Sequence, residues 1–152
     1  MSSSSLISAA KAGHLPLVIY HMNSGASVEH EDNDGGTALM WAALHGHRFV
    51  LLFLLERQAP VNQTNGIGET ALMLAVQNRQ GAIVDCLLNY GADPNCSDDE
   101  GYTALHYAAL GGQGDVVQKL LWLNADPTRV TVEGDTALNL ASTVEIRQLL
   151  LT

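Results

Sequence analysis

The chain has 152 residues, 47% hydrophobic and 15% charged, so it can bury a core and does not read as a disordered tail. Seven Lys and Arg against sixteen Asp and Glu leave a formal charge of −9, which argues against a nucleic-acid-binding surface and favours a neutral or basic partner. Two cysteines make no disulfide framework, Met1–Ser5 has no basic leader region, and the longest apolar run, Phe49–Leu55, is too short to span a bilayer. A reducing compartment, cytosol or nucleus, is the expected setting, with no membrane insertion and a monomer as the starting assumption.

In chain order, Ser2–Ser5 reads as a loose start or the beginning of a helix. A first unit follows, about 6–31, with a Gly13-His14 turn, Pro16 suited to the first turn of a second helix, and a close at Gly25-Ala26-Ser27. It has no recognisable hairpin, as befits a cap. From there the sequence repeats itself. Thr-Ala-Leu occurs at Thr37, Thr70, Thr103 and Thr136, always 33 residues apart. A glycine stands two residues before each (Gly35, Gly68, Gly101, Gly134) and an alanine five after (Ala42, Ala75, Ala108, Ala141). The pairs Leu54-Leu55, Leu87-Leu88 and Leu120-Leu121 keep the same step. These registers mark units of about 32–64, 65–97, 98–130 and 131–152 in one domain covering 1–152.

Each threonine is a good N-cap, its oxygen free to take an orphan helix N–H. Each preceding glycine suits a turn that needs positive φ or close backbone approach. Leu39, Ala42 and Ala43 fall at helical spacing, and the small alanines let a neighbouring helix come close. A second helix is predicted at roughly Arg48–Arg57, with Val50, Leu51, Leu54 and Leu55 on one face. Two short helices cannot bury their apolar faces alone, so the units must stack. The last unit is three residues short between its helices. The chain ends inside the apolar run Leu149–Leu151, where a terminal unit would present a polar face, so a fragment of a longer protein is expected.

Asp98-Asp99-Glu100-Gly101-Tyr102-Thr103-Ala104-Leu105-His106-Tyr107-Ala108-Ala109 resembles the signature of the ankyrin repeat, and Gly46-His47 and Gly91-Ala92-Asp93 are similar to its inter-helix and closing motifs. The resemblance covers nearly the whole chain. It implies an all-α ankyrin-repeat solenoid of about five helix-turn-helix units with short β-hairpin-like loops. It also implies a protein–protein interaction scaffold or adaptor with no catalysis and no cofactor. Two further roles come with it, a small kinase-inhibitor-like protein or the targeting module of a larger enzyme. The sequence departs from the family in places. Alanine replaces the proline after every threonine, Met40, Met73 and Asn139 replace the histidine kept at His106, Arg79 replaces an inter-helix glycine, and Gln58 and Asn124 replace the closing glycine. The resemblance implies that His106 bonds neighbouring turns. Leu87, Asp93 and Asn95 resemble the site that asparaginyl hydroxylases use in such repeats, although an asparagine that simply holds a turn explains Asn95 as well.

Chemistry is thinly represented. His14, His21, His30, His45, His47 and His106 form no H-E-x-x-H, and the cysteines form no C-x-x-C, so no metal site is expected. Gly111-Gly112-Gln113-Gly114 lacks the Lys-Ser/Thr of a phosphate loop and reads as an inter-helix turn. Cys86 reads as a packed thiol. What remains is surface. In this architecture hairpin tips and first helices line one concave face, so the candidate partner-binding residues are Asp34, Ile67, Glu69, Glu100, Tyr102, Glu133 and Asp135 from the tips, and Leu44, His45, Gln77, Asn78 and Leu110 from the helices. The tips carry several acids and neither Lys nor Arg, a pattern that steers basic ligands. Tyr102 is the aromatic anchor among them. Trp41 is open between core and surface, and Trp122 marks a second, convex candidate.

Overall fold

A computed structural model describes residues 2–152; Met1, the first residue of the Met1–Ser5 stretch, lies outside them. The local chemistry of the threonines acts as expected. Thr37, Thr70, Thr103 and Thr136 all hold extended backbone just before a helix, and Thr37 Oγ1 and Thr70 Oγ1 accept the N–H of Met40 and Met73 at 3.3 Å. The helices they open are α3 (Ala38–Leu44), α5 (Ala71–Gln77), α7 (Ala104–Leu110) and α9 (Ala137–Leu140). Each is paired with a second helix, giving α4 (Arg48–Glu56), α6 (Gly81–Asn89), α8 (Gly114–Trp122) and α10 (Val144–Leu151). The first pair is α1 (Ser2–Lys11) and α2 (Leu15–Asn23), so Ser2–Ser5 is a helix start, and Pro16 stands in the first turn of α2.

Helices of seven to nine residues are marginal in water, so packing must hold them. The chain forms two compact units, Met1–Ala92 and Asp93–Thr152. In the first, α1, α3 and α5 pack in a row and α2, α4 and α6 in a second, looser row behind them. The first row is tighter because its facing residues are small, with Ala9, Ala10, Ala38, Ala42, Ala43, Ala71 and Ala75 all buried. Leu39, Leu51, Leu54, Leu72 and Leu87 fill the space between rows. In the second unit α7 packs on α9 and α8 on α10, around Leu105, Val117, Leu120 and Ile146.

Turn chemistry repeats with the same 33-residue step. Gly35 has φ +77°, and a Cβ there would stand 2.7 Å from the Gly66 nitrogen, so only glycine fits. Three positions without glycine adopt the same left-handed backbone: Gln58 (φ 65°), Arg79 (φ 57°) and Asn124 (φ 64°). These are the positions where the sequence departs from the repeat pattern, so the backbone kept its turn and the side chains bear the strain. Gly111–Gln113 is the inter-helix turn of its unit. The hairpin-like loops appear in the first unit as single bridges, Glu31 with Thr37 and Thr64 with Thr70. The shortened last repeat differs in detail from expectation. The stretch between α9 and α10 keeps three residues, as between α7 and α8, and the deficit falls on α9, which is four residues long rather than seven. Ser142 closes the gap, its N–H and hydroxyl both donating to the Ala109 carbonyl (3.2 and 3.3 Å).

Candidate functional site

The loop tips are built around one residue of each repeat. Asp32 Oδ1 accepts the N–H groups of Asp34 and Gly36 (3.0 and 2.8 Å), Asn65 Oδ1 those of Ile67 and Glu69 (3.1 and 2.9 Å), and Asp98 Oδ1 those of Glu100 and Tyr102 (3.0 and 2.9 Å). Thr131 takes the same place more weakly, its hydroxyl accepting from Asp135 N–H at 3.2 Å. Short polar side chains favour such turns because they mimic a backbone carbonyl. The tips are also stitched to each other within each unit, Gly66 N–H donating to the Asp34 carbonyl (2.8 Å) and Val132 N–H to that of Glu100 (2.9 Å).

The second oxygen of each tip aspartate orients an aromatic ring. Trp41 Nε1–H donates to Asp32 Oδ2 at 2.7 Å, and the Tyr107 hydroxyl donates to Asp98 Oδ2 in a short bond. Burial alone would raise the Asp32 carboxyl, but the Trp41 indole, the Gly36 and Asp34 amides and the Lys11 charge together hold it below the usual carboxylate range. Trp41 is therefore neither core nor free surface. It is half-buried, carries the Lys11 ammonium 3.7 Å from its ring centroid, and stacks with His45 at 5.9 Å. The pairs Asp32–Trp41 and Asp98–Tyr107 are 66 residues apart, two repeats, and that register is a sequence signal that spacing of Thr-Ala-Leu alone does not reveal.

Six of the twelve candidate residues gather into two clefts, one per unit. In the first unit Asp34, Leu44 and Glu69 line a cleft of about 220 Å³ together with Gly36, Met40, Trp41, Asn65 and Leu74. In the second, Glu100, Tyr102 and Glu133 line a cleft of about 290 Å³ with Asp99, Thr131 and Val132. The floor residues Leu74 and Met40 were not anticipated as site residues. The other candidates stand apart or are occupied. Ile67 is 60% exposed outside either cleft, and Leu110 and His45 are exposed on their helices. Asp135 is half-buried, its carbonyl facing His106 Nε2 at 3.2 Å. Gln77 Nε2 donates to Glu69 Oε1 (2.8 Å) and Asn78 Nδ2 to the Leu74 carbonyl (2.9 Å), so both amides already hold structure. Tyr102 is half-buried and stacked on Tyr107 at 5.1 Å, so it is a fixed rather than a searching aromatic.

His106 is buried and works as a structural joint. Its Nδ1 accepts the Thr103 N–H (3.0 Å) and meets the Thr103 hydroxyl (2.9 Å). An amide can only donate, so Nδ1 is the acceptor and Nε2 carries the proton toward the carbonyls of Arg129 (3.0 Å) and Asp135 (3.2 Å). Burial pushes its pKa below the ordinary histidine range, with Arg129 adding to the effect; the two carbonyls and Asp98 recover only part of it. Asn95 likewise holds a turn, accepting the Asp126 N–H (2.7 Å) and donating to the Asn124 carbonyl (3.0 Å). Cys86 is buried, and the Cys96 thiol is pushed up by burial and by Asp93, the opposite of what a nucleophile needs. Among the described residues no three His, Cys, Asp or Glu side chains gather as a metal site, and no helix is long and apolar enough to cross a membrane.

A family model described as ankyrin repeats (3 copies) matches residues 2–65 and 72–152. No curated protein matches the chain.

Proposed function

The chain belongs to the ankyrin repeat family, a non-enzymatic protein–protein interaction fold, and on that premise we propose that it recognises a basic protein segment through the carboxylate-rimmed tips of its units. The observation that supports this reading is the lining of the two clefts. Asp34 and Glu69 stand at one and Asp99, Glu100 and Glu133 at the other, with neither Lys nor Arg among the lining residues of either. Val132, 78% exposed beside those acids, and the Tyr102 ring offer the apolar contact that a purely ionic surface lacks. The tips, already ordered by their hydrogen bonds, lose little entropy on binding.

The kinase-inhibitor-like reading would use Leu44, His45, Gln77 and Asn78. It has less support, since the exposed Gln77 and Asn78 amides already bond Glu69 and the Leu74 carbonyl and His45 lies against Trp41. The recognition role we propose has no catalysis attached, is exercised by a monomer in the cytosol or nucleus, and suits a free-standing adaptor as well as the targeting part of a larger enzyme.

Selection of peptides from a random display library at low and at high salt tests the reading. Lysine- and arginine-rich peptides should emerge, their affinity should fall with salt, and the variant Asp34→Asn, Glu100→Gln, Glu133→Gln should lose them. Enrichment of neutral or acidic peptides, or salt-independent binding, would overturn it.

A further inference from the structure

We propose that the cleft of the first unit is a seat for one long cationic side chain, an arginine or lysine of the partner. Its aliphatic stem would lie on Leu44 and Leu74 and its charged head would meet Asp34 and Glu69. This assignment rests on the reading just given and narrows it to one place and one kind of side chain.

Size comes first. At about 220 Å³ the cleft falls below the 300–1,000 Å³ of ordinary small-molecule sites and holds one side chain, not a helix or a folded ligand. Its lining combines the apolar Leu44, Leu74 and Met40 with the anionic Asp34 and Glu69. A norleucine-like side chain would cover the apolar lining but strip water from two carboxylates and bring them no counter-charge, which is costly. An acidic side chain would be repelled. A flexible stem that buries its methylenes and keeps its charge at the rim satisfies both parts.

The rim is also prepared for a cation. Glu69 is held from both sides, its Oε2 by Asn65 Nδ2 (2.9 Å) and its Oε1 by Gln77 Nε2 (2.8 Å). Both donors are neutral, so they fix the carboxylate without cancelling its charge. Little rotamer freedom is then left to lose on binding. The Trp41 edge of the cleft is fixed by Asp32, and its ring already carries one cation, the Lys11 ammonium at 3.7 Å. The fold itself thus shows a lysine held against this ring. The cleft of the second unit has the acids, but its lining offers only Val132 and Tyr102 as apolar surface and no comparable wall for a stem.

The test is an amide-resolved NMR titration of the full chain with end-blocked pentapeptides of glycine around a single central residue. With arginine or lysine at the centre, the Trp41 indole and Gly36 amide signals should shift and saturate, while the exposed Trp122 indole stays still. In the Asp34→Asn, Glu69→Gln variant, with the rest of its spectrum unchanged, binding should weaken about tenfold, as expected for losing charged hydrogen bonds. Peptides centred on citrulline or norleucine should leave these signals in place. Equal shifts from citrulline or norleucine would overturn the seat, because the charge would not be read. Shifts confined to the Glu100 and Glu133 amides would also overturn it, while the broader proposal of acidic tips would survive. No shift anywhere overturns the seat too, and the display selection then decides the broader proposal separately.

Discussion

In Met1–Ala92 the residue three positions after each capping threonine is methionine, Met40 or Met73, buried and apolar. In Asp93–Thr152 it is His106 or Asn139, polar and turned back on the cap. The methionines leave the threonine N–H without a reciprocal side chain and fill volume. His106 and Asn139 accept that N–H (3.0 and 2.9 Å) and close the cap from both directions. His106 goes further and bonds the carbonyls of Arg129 and Asp135. The same backbone frame thus accepts two solutions, one paid in packing and one in hydrogen bonds, and they should fail differently.

The sharpest contrast is volume against polarity. Met73→Ala should cost about 2–5 kcal/mol, since Met73 is 1% exposed and its loss leaves a cavity. Chemical denaturation followed by far-UV circular dichroism measures it. His106→Met, which copies the solution of the first unit into the second, should cost about 1–3 kcal/mol. The apolar side chain fills the space but orphans the buried Thr103 N–H and takes the donor from two part-buried carbonyls. If His106→Met were neutral, the two solutions would be interchangeable and the contrast would dissolve.

Acid should separate the units next. The folded His106 pKa lies below its unfolded value because burial and the donor facing Nδ1 oppose a second proton. Its contribution is therefore complete above the unfolded value near 6.5 and is lost as pH falls from there through the lower folded value. Asp32 in the first unit is also lowered, but from 3.8, so its contribution survives to far stronger acid. Hydrogen exchange read amide by amide between pH 7 and pH 5 should show α7 and α8 losing protection before α3 and α4. In His106→Met that difference should vanish. Equal loss in both units of the wild-type chain would refute the assignment of the joint to His106.

Much of this was legible in advance, and for a physical reason. Thr-Ala-Leu spacing, the glycines and the leucine pairs report backbone geometry, which is set locally and repeats with the chain. The caps, the positive φ at Gly35 and Gly101 and the left-handed backbone at Gln58, Arg79 and Asn124 follow from register alone. The sites are another matter. That Glu69 is clamped by Asn65 and Gln77, or that Asp32 aims Trp41, depends on side-chain rotamers across 4 to 9 residues of folded chain. A pattern of acids at the tips does not distinguish Asp32 and Asp98, which serve the turns, from Asp34 and Glu100, which face outward. The oxygen accounting does, because each turn aspartate gives one oxygen to backbone amides and one to a ring. The exposure of Trp122, at 85%, was open from its place late in a helix and is settled by its position on α8.

The smallest expected difference lies at the left-handed residues. Gln58 is exposed in the first unit and Asn124 in the second, at φ 65° and 64°. A residue with a Cβ gives up about 1–2 kcal/mol in this conformation, and asparagine less because its short side chain tolerates it. Glycine removes that strain but adds about 0.4–1 kcal/mol of unfolded-chain entropy to be lost. The balance favours Gln58→Gly by about 0.5–1 kcal/mol, whereas Asn124→Gly should change stability by only a few tenths, at about 0.3 kcal/mol or less. Parallel denaturation midpoints of the two variants check this. A gain at Asn124 as large as at Gln58 would mean that the strain belongs to the turn itself and not to the side chain that departs from the repeat.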